Sequence, residues 1–302
     1  MPKLRRSSAT ATRVTRQLLE RAPIRSPSSN DDKEERGRVL VVGGALSLPG
    51  AVVLAGIAAL RAGAGKLQIA TCKSIAPLVG ISVPESLSLG LDETKDGVIS
   101  ADAASALSPL VQGTDVLLIG PGMNGTDEER QFVKSVLRAS TNIPVILDAG
   151  ALQILEDDPA ALRELEGNAV ITPHAREMAR ITGIDAREVT ANAERVAREA
   201  AKSLNAVVAL KGSETFIATP DGDLFRYDKG DVGLATSGSG DALAGVVAGL
   251  VARGASLLNA TLWAVFLHGE AGNRLANKIG RVGYLARELL DEIPHAARAV
   301  RR

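Results

Sequence analysis

Short apolar runs alternate with longer stretches of helical spacing along most of this chain. Val39–Val42, Leu67–Ala70, Val116–Ile119, Val145–Leu147, Ala169–Ile171 and Ala206–Leu210 are mostly apolar and short, as strands covered on both faces should be. Between them, Ala51–Ala62, Glu128–Ala139, Ala160–Leu165, Ala175–Ile181 and Ala191–Leu204 read as helices. This alternation predicts an α/β fold with a mostly parallel sheet flanked by helices. Thr215–Thr219 and Leu224–Tyr227 flank the turn cluster Pro220-Asp-Gly-Asp223 and predict a hairpin. From Ala242 onward the pattern is mainly helical. Residues 37–302 show no internal repeat and no low-complexity segment, and read as one domain.

Residues 1–36 differ. Lys3, Arg5, Arg6, Arg13, Arg16, Arg21 and Arg25 stand against only Glu20 before Asp31. Such an arginine-rich, acid-poor stretch suits a transit peptide or a short helix with an exposed arm, and the exposed arm is the expectation adopted. Arg25-Ser-Pro-Ser-Ser-Asn30 and the charged run Asp31–Arg36 read as a linker.

Composition narrows the function. The 302 residues are 45% hydrophobic, enough for a sizeable core. Lys plus Arg equals Asp plus Glu, 35 each, so no global field draws nucleic acid or membranes. Aromatics make up 2%, which leaves little for stacking on bases. The lone Cys72 excludes an internal disulfide framework and fits a reducing cytoplasm. No apolar run is long enough to span a bilayer. The longest, Ala242–Ala252, carries Gly245 and Gly249, a spacing read as close packing of helices.

Unusual residues follow the predicted strands: Gly43-Gly44, Gly120-Pro-Gly122, Asp148-Ala-Gly150, Thr172-Pro-His174 and Lys211-Gly212. Strand ends of one parallel sheet share a rim, where ligands bind. Gly238, Ser239 and Gly240 then open a helix, with Asp241 next. Exposed N–H groups at a helix start attract anions, and a carboxylate beside them suits proton transfer rather than anion binding. These features predict phosphate chemistry centred on Asp241.

The individual residues each have a plainer reading as well. Gly43–Gly50 lacks both the dinucleotide-binding and the P-loop spacing, so it is either a simple loop or backbone that lies against a flat ligand near Ala51. Gly122 permits a turn or a close ligand. Asp148 either caps the following helix or helps hold a metal through water, and capping is the expectation adopted. Thr172 suits an N-cap and Pro173 the first helical position, which puts His174 in the first turn as a neutral donor to a ligand. Lys211, Gly212, Ser213, Glu214 and Thr215 form either a solvated turn or a nucleotide phosphate loop. His268 and Trp263 are read as core or interface residues, and His295 as exposed. Three histidines exclude a multi-histidine metal site, and no protein metal cage is visible.

The ordered set Gly43-Gly44…Pro49-Gly50-Ala51, Gly120-Pro-Gly122, Asp148–Leu152, Thr172-Pro-His174…Glu177-Met178, Val208–Gly212 and Thr236–Asp241 resembles the ADP/ATP-dependent NAD(P)H-hydrate dehydratases. That family belongs to the ribokinase-like superfamily, and the resemblance covers about residues 37–295. It implies a three-layer ribokinase-like fold. It also implies repair of the S epimer of NADH or NADPH hydrate, by phosphorylation of the hydrate hydroxyl from ADP or ATP and loss of phosphate. Asp241 is then the catalytic base, and Ala51, Gly122, His174 and Asp241 bind the hydrate. Lys211–Thr215 and Gly240 bind the nucleotide, while Gly238, Ser239 and Gly240 form the phosphate hole. Magnesium as cofactor, a homo-oligomer such as a tetramer, and a separate epimerase are further implications. Gly150 stands where many relatives carry a second acid, and Ala175-Arg176 replaces a common Pro-Gly. Two other readings share the fold: a small-molecule kinase of thiazole or hydroxymethylpyrimidine type, and a nucleotide-sensing regulator without catalysis.

Overall fold

Alternate side chains of each central strand enter two different cores, as a sheet covered on both faces requires. The computed structural model describes residues 10–25 and 32–300. Its strands are β1 (Thr12–Arg13), β2 (Arg38–Val42), β3 (Lys66–Cys72), β4 (Ser86–Leu91) and β5 (Val116–Ile119). They continue with β6 (Val145–Leu147), β7 (Ala169–Ile171), β8 (Val207–Leu210), β9 (Thr215–Ala218) and β10 (Leu224–Tyr227). The helices are α1 (Arg16–Arg21), α2 (Gly50–Arg61), α3 (Ala76–Ser82), α4 (Ala104–Gln112), α5 (Asp127–Ala139) and α6 (Ile154–Asp157). After these come α7 (Ala175–Thr182), α8 (Ala186–Ala191), α9 (Ala193–Leu204), α10 (Ser239–Ala252), α11 (Leu257–Lys278) and α12 (Ala286–Val300).

The sheet order is β1-β10-β9-β8-β7-β6-β5-β2-β3-β4. Only β9 runs antiparallel to its neighbours β8 and β10. Val39 and Val41 of β2, with Val116 and Leu118 of β5, join a core with α2, α10, α11 and α12. Leu40, Val42, Leu117 and Ile119 join the opposite core with side chains of α4 to α9. The result is the expected three-layer α/β architecture. Among the described residues no helix is long and apolar enough to cross a membrane.

Three segments depart from the sequence expectation. Ala160–Leu165 is not a helix, and only Arg163–Leu165 makes a 3₁₀ turn. Glu166 in the left-handed conformation (φ +50°) ends it, and so short a piece has too few hydrogen bonds to nucleate an α-helix. Between β3 and β5 the chain forms α3, β4 and α4, none of which was expected. β4 is an edge strand with little burial, and α4 carries Pro109, so both lack a strong apolar signal.

The expected exposed arm is the third. Lys3, Arg5, Arg6 and residues 26–31 lie outside the described residues, but residues 10–25 pack onto the domain. β1 adds to β10 in parallel, with Thr12 opposite Phe225 and Arg13 opposite Arg226. Val14, Leu19 and Ile24 are buried, and the Trp263 indole N–H donates to the Ala22 carbonyl at 2.8 Å. Arg13 pairs with Asp228 and Arg16 with Glu20, so the arginines stay at the surface while the apolar positions turn inward.

α2 and α10 meet at backbone contact. A Cβ on Gly245 would lie 2.1 Å from the Ala55 carbonyl oxygen, and one on Gly249 2.4 Å from that of Ala59. This is the close packing that the spacing of the two glycines predicts. Gly245→Ala should therefore lower stability by about 1–3 kcal/mol in urea unfolding, the usual cost of overpacking. Gly50→Ala, at a position with open space around it, should change stability by less than about 0.5 kcal/mol.

Candidate active site

The strand ends singled out in the sequence do share one rim. β2, β5, β6, β7 and β8 are neighbours and run in the same direction, so Gly43, Gly120, Asp148, Thr172 and Lys211 follow them at one edge. α10 begins over this rim. Gly238 is its N-cap at φ +87°, where a Cβ would also strike Leu54 at 2.4 Å. No side chain caps the helix. The Ser239 N–H is used on the Thr236 carbonyl. The amides of Gly240 and Asp241 have no acceptor within the helix, by their position in its first turn.

The helix pair aligns the remaining parts. Gly245 faces Ala55 and Gly249 faces Ala59, so the contacts advance four residues together on both helices. One turn earlier the same register sets Asp241 opposite Ala51. Gly122 closes the other side of Ala51. A Cβ on Gly122 would lie 3.0 Å from the Ala51 Cβ and 2.6 Å from the Leu48 carbonyl oxygen. The close approach that Gly122 permits is thus to the loop before α2.

Asp148 does not cap a helix, contrary to the sequence expectation. It is 2% exposed and makes no capping bond. Its Oδ1 instead accepts from the Thr172 hydroxyl at 2.6 Å and from Lys211 Nζ at 2.9 Å. A nearly dehydrated carboxylate is held by a cation and a hydroxyl more strongly than by a terminal turn. A Cβ on Gly240 would stand 3.1 Å from Lys211 Nζ, so this ion pair lies directly beneath the start of α10. Gly150 has no room for a side chain, because the Met123 carbonyl oxygen would be 2.4 Å from its Cβ.

Charge is unevenly distributed over the cluster. Burial pushes the Asp241 carboxyl up to about 7, the Asp148 carboxylate adds to this, and Lys211 opposes it. Burial likewise raises Glu177, against the pull of Lys211. Burial disfavours the Lys211 ammonium, but Asp148, Glu177 and Asp241 outweigh this and hold its pKa above the ordinary lysine range. Lys211 therefore stays charged, while Asp241 is poised to take and return a proton near neutrality.

His174 is the N-cap itself rather than a first-turn residue. The Glu177 N–H donates to His174 Nδ1 at 3.1 Å, and the His174 N–H donates to Glu177 Oε2 at 2.7 Å. Thr172 does not cap because its hydroxyl is committed to Asp148. With Nδ1 accepting, neutral His174 carries its hydrogen on Nε2, available as the donor that the sequence reading assigned to it. Glu177 was missed as a member of the site; its spacing three residues after a cap was the available signal. His268 was read as core or interface, yet its Nε2 lies 2.9 Å from Ser239 Oγ in the helix start. Trp263 is buried and His295 exposed, as read, and Cys72 is a buried thiol at the end of β3, pushed up to about 12 by burial.

Lys211, Gly212, Ser213 and Glu214 line a small pocket of about 80 Å³ beside α8 and α9. It adjoins an open pocket of about 530 Å³, with Thr190, Ala193, Glu214 and Phe216 common to both. The larger volume falls within the range of small-molecule sites. Thr215 begins β9 next to this turn. Among the described residues no three His, Cys, Asp or Glu side chains form a metal-holding group. Magnesium needs no such cage, since it keeps several waters and takes phosphate oxygens as ligands. Asp148 Oδ2, 3.8 Å from a Cβ built on Gly240, makes no hydrogen bond to another described side chain and suits contact with such an ion through water.

The family model described as NAD(P)H-hydrate dehydratase matches residues 39–295. The chain is 46% identical to the ADP-dependent (S)-NAD(P)H-hydrate dehydratase of Xanthomonas campestris pv. campestris, over 93% of this chain and 94% of that protein. It is 37% identical to a bifunctional NAD(P)H-hydrate repair enzyme of Moorella thermoacetica, over 94% of this chain and 54% of the relative. This chain thus spans about half the length of such bifunctional relatives. Among solved structures it resembles the ADP/ATP-dependent NAD(P)H-hydrate dehydratase of Bacillus subtilis co-crystallized with ATP and Mg²⁺. That likeness has a TM-score of 0.82 and 30% identity, and covers 97% of this chain and all of that one.

A stability prediction follows from the raised carboxyl. Folded Asp241 binds its proton up to about pH 7, whereas an unfolded aspartate releases it near 3.9. Its contribution is therefore complete below about pH 4 and is lost as pH rises through 7. Asp241→Asn should melt at nearly the wild-type temperature at pH 4 and above it at pH 8. Equal melting temperatures at both pH values would show that the carboxylate is not strained.

Proposed function

The chain belongs to the NAD(P)H-hydrate dehydratase family, and we propose that it restores NADH or NADPH from the S epimer of the hydrate in a nucleotide-dependent dehydration. The observation that carries this reading is the placement of Asp241. Its carboxyl, pushed up to about 7, stands in the first turn of α10 beside amides that have no acceptor within the helix and above the Lys211–Asp148 pair. A base tuned near the working pH next to donors for a phosphoryl group is what transfer to a hydroxyl requires.

In this reading the hydrate lies between Ala51, Gly122, His174 and Asp241. Asp241 takes the proton of the hydrate hydroxyl as its oxygen attacks the terminal phosphoryl group of ADP or ATP, and the bond from that phosphorus to its bridging oxygen breaks to release AMP or ADP. The amides of Gly240 and Asp241, with Ser239, meet the charge that develops on the phosphoryl oxygens. Phosphate then leaves with the electrons of the carbon–oxygen bond, and a neighbouring ring carbon gives up a proton. The double bond returns, and water has been removed in two pieces.

Lys211 to Thr215 hold the nucleotide phosphates, and the open pocket beside α8 and α9 takes its nucleoside end. Asp148 would hold a magnesium ion through water, and the ion would supply neutralisation of phosphate charge. Similarity across nearly the whole chain to proteins named ADP-dependent (S)-NAD(P)H-hydrate dehydratase favours a dehydratase over a superfamily kinase. Action in the cytoplasm, a homo-oligomer such as a tetramer, and supply of the S epimer by a separate epimerase complete the proposal. The exposed Leu78, Ile81 and Leu87 near the β4 edge offer a face for self-association.

Hydrated NADH mixed with ADP or ATP and the protein should recover the absorbance of the intact dihydronicotinamide. Nucleotide consumption that leaves a stable phosphorylated product would identify a kinase instead, and tight binding without turnover a sensor. Asp241→Asn should bind nucleotide normally and lose at least about 10²-fold in kcat. With the wild type, kcat/KM should fall as pH drops below about 7, where the base becomes protonated. His174→Ala should raise KM for the hydrate with a smaller change in kcat, and an unchanged KM would remove His174 from that contact.

A further inference from the structure

His268 on α11 is a titratable side chain for which the mechanism above has no task. Its Nε2 lies 2.9 Å from Ser239 Oγ and 3.0 Å from the Ser239 carbonyl oxygen. A carbonyl oxygen only accepts, so the ring nitrogen facing it carries a hydrogen. Burial holds the imidazole neutral by lowering its pKa to about 4, so this is its one ring proton and Nδ1 is bare. Ser239 Oγ sits against the same N–H and shares it as a second acceptor. The serine hydroxyl hydrogen is therefore turned away from the ring.

That orientation matters because of where Ser239 stands. It is the first residue of α10, 3% exposed, and its backbone N–H is already used on Thr236. His268 is the only described side chain bonded to its hydroxyl. A buried hydroxyl with a free hydrogen at this helix start is a third donor beside the amides of Gly240 and Asp241.

We propose that His268 is a positioning residue that holds Ser239 as a hydrogen-bond donor to the phosphoryl oxygens in the transition state. The proposal rests on the dehydratase reading and adds to it a residue 29 positions away in sequence. The imidazole touches neither substrate nor nucleotide. It acts by occupying the acceptor side of the hydroxyl, so that Ser239 cannot turn its hydrogen inward.

The test combines a spectroscopic readout with a mutant cycle. In the free protein, the ¹⁵N–¹H correlation spectrum of labelled histidine should show His268 as the neutral Nε2–H form at pH 7. An Nδ1–H form would overturn the proposal. His268→Leu should lower kcat about 10-fold or more while KM for the hydrate changes less than about twofold. His268→Gln, which returns an amide N–H near the same place, should recover most of kcat. Ser239→Ala should lower kcat comparably, and His268→Leu added to it should cost little more, because both changes remove one interaction. Equal costs of His268→Leu with and without Ser239 would show a role independent of the hydroxyl and sink the idea. Failure of the unsubstituted protein to turn over hydrate would overturn the dehydratase reading instead, and the tautomer would still decide the His268 proposal.

Discussion

The contact between α2 and α10 is closer than side chains would allow, and the placement of the reacting groups depends on it. Gly245 and Gly249 let one helix rest on the carbonyls of Ala55 and Ala59. Both helices begin at the same rim of the sheet, so their register carries Ala51 and Asp241 to the same level. The loop holding Gly122 closes on Ala51 from the other side. The relative placement of Ala51, Gly122 and Asp241 is therefore set by packing inside the domain, one and two turns further along the helices.

The second constraint is electrostatic. Asp148, Glu177 and Asp241 crowd one ammonium, and Lys211 cannot satisfy all three. It bonds Asp148, which is nearly dehydrated and would suffer most without a partner. Glu177 is engaged by the His174 N–H in the cap of α7. Burial leaves Asp241 less stable as an anion than an ordinary aspartate, and its carboxyl is pushed up to about 7. The same cluster therefore explains why Lys211 stays charged and why Asp241 does not remain a settled carboxylate.

Much of this was legible in the sequence. The central strands, the hairpin, the helix opening at Gly238–Asp241 and the shared rim all follow from local patterns, and the three-layer fold and family were recognisable from ordered motifs. What escaped depends on partners far along the chain. Asp148 looks like a cap until Lys211, 63 residues later, is placed beside it. His174 looks like a first-turn residue because Thr172 is a good cap, and only Asp148 draws the threonine away. The N-terminal arginines concealed Val14, Leu19 and Ile24, whose burial needs β10 and the C-terminal helices. His268 sits in an apolar helix and resembles its core neighbours until Ser239 is brought against it.

The docking of residues 10–25 has a consequence for how the chain acquires its shape. β1 and its partner β10 lie more than 200 residues apart, as the Arg13–Asp228 pair at a separation of 215 shows. The indole that holds Ala22 comes later still, at a separation of 241. Contacts that span so much chain close large loops and form slowly. Residues 10–25 therefore cannot dock until β10 and α11 have both been made. They work as a latch that joins the edge of the sheet at β10 to α11 and α12.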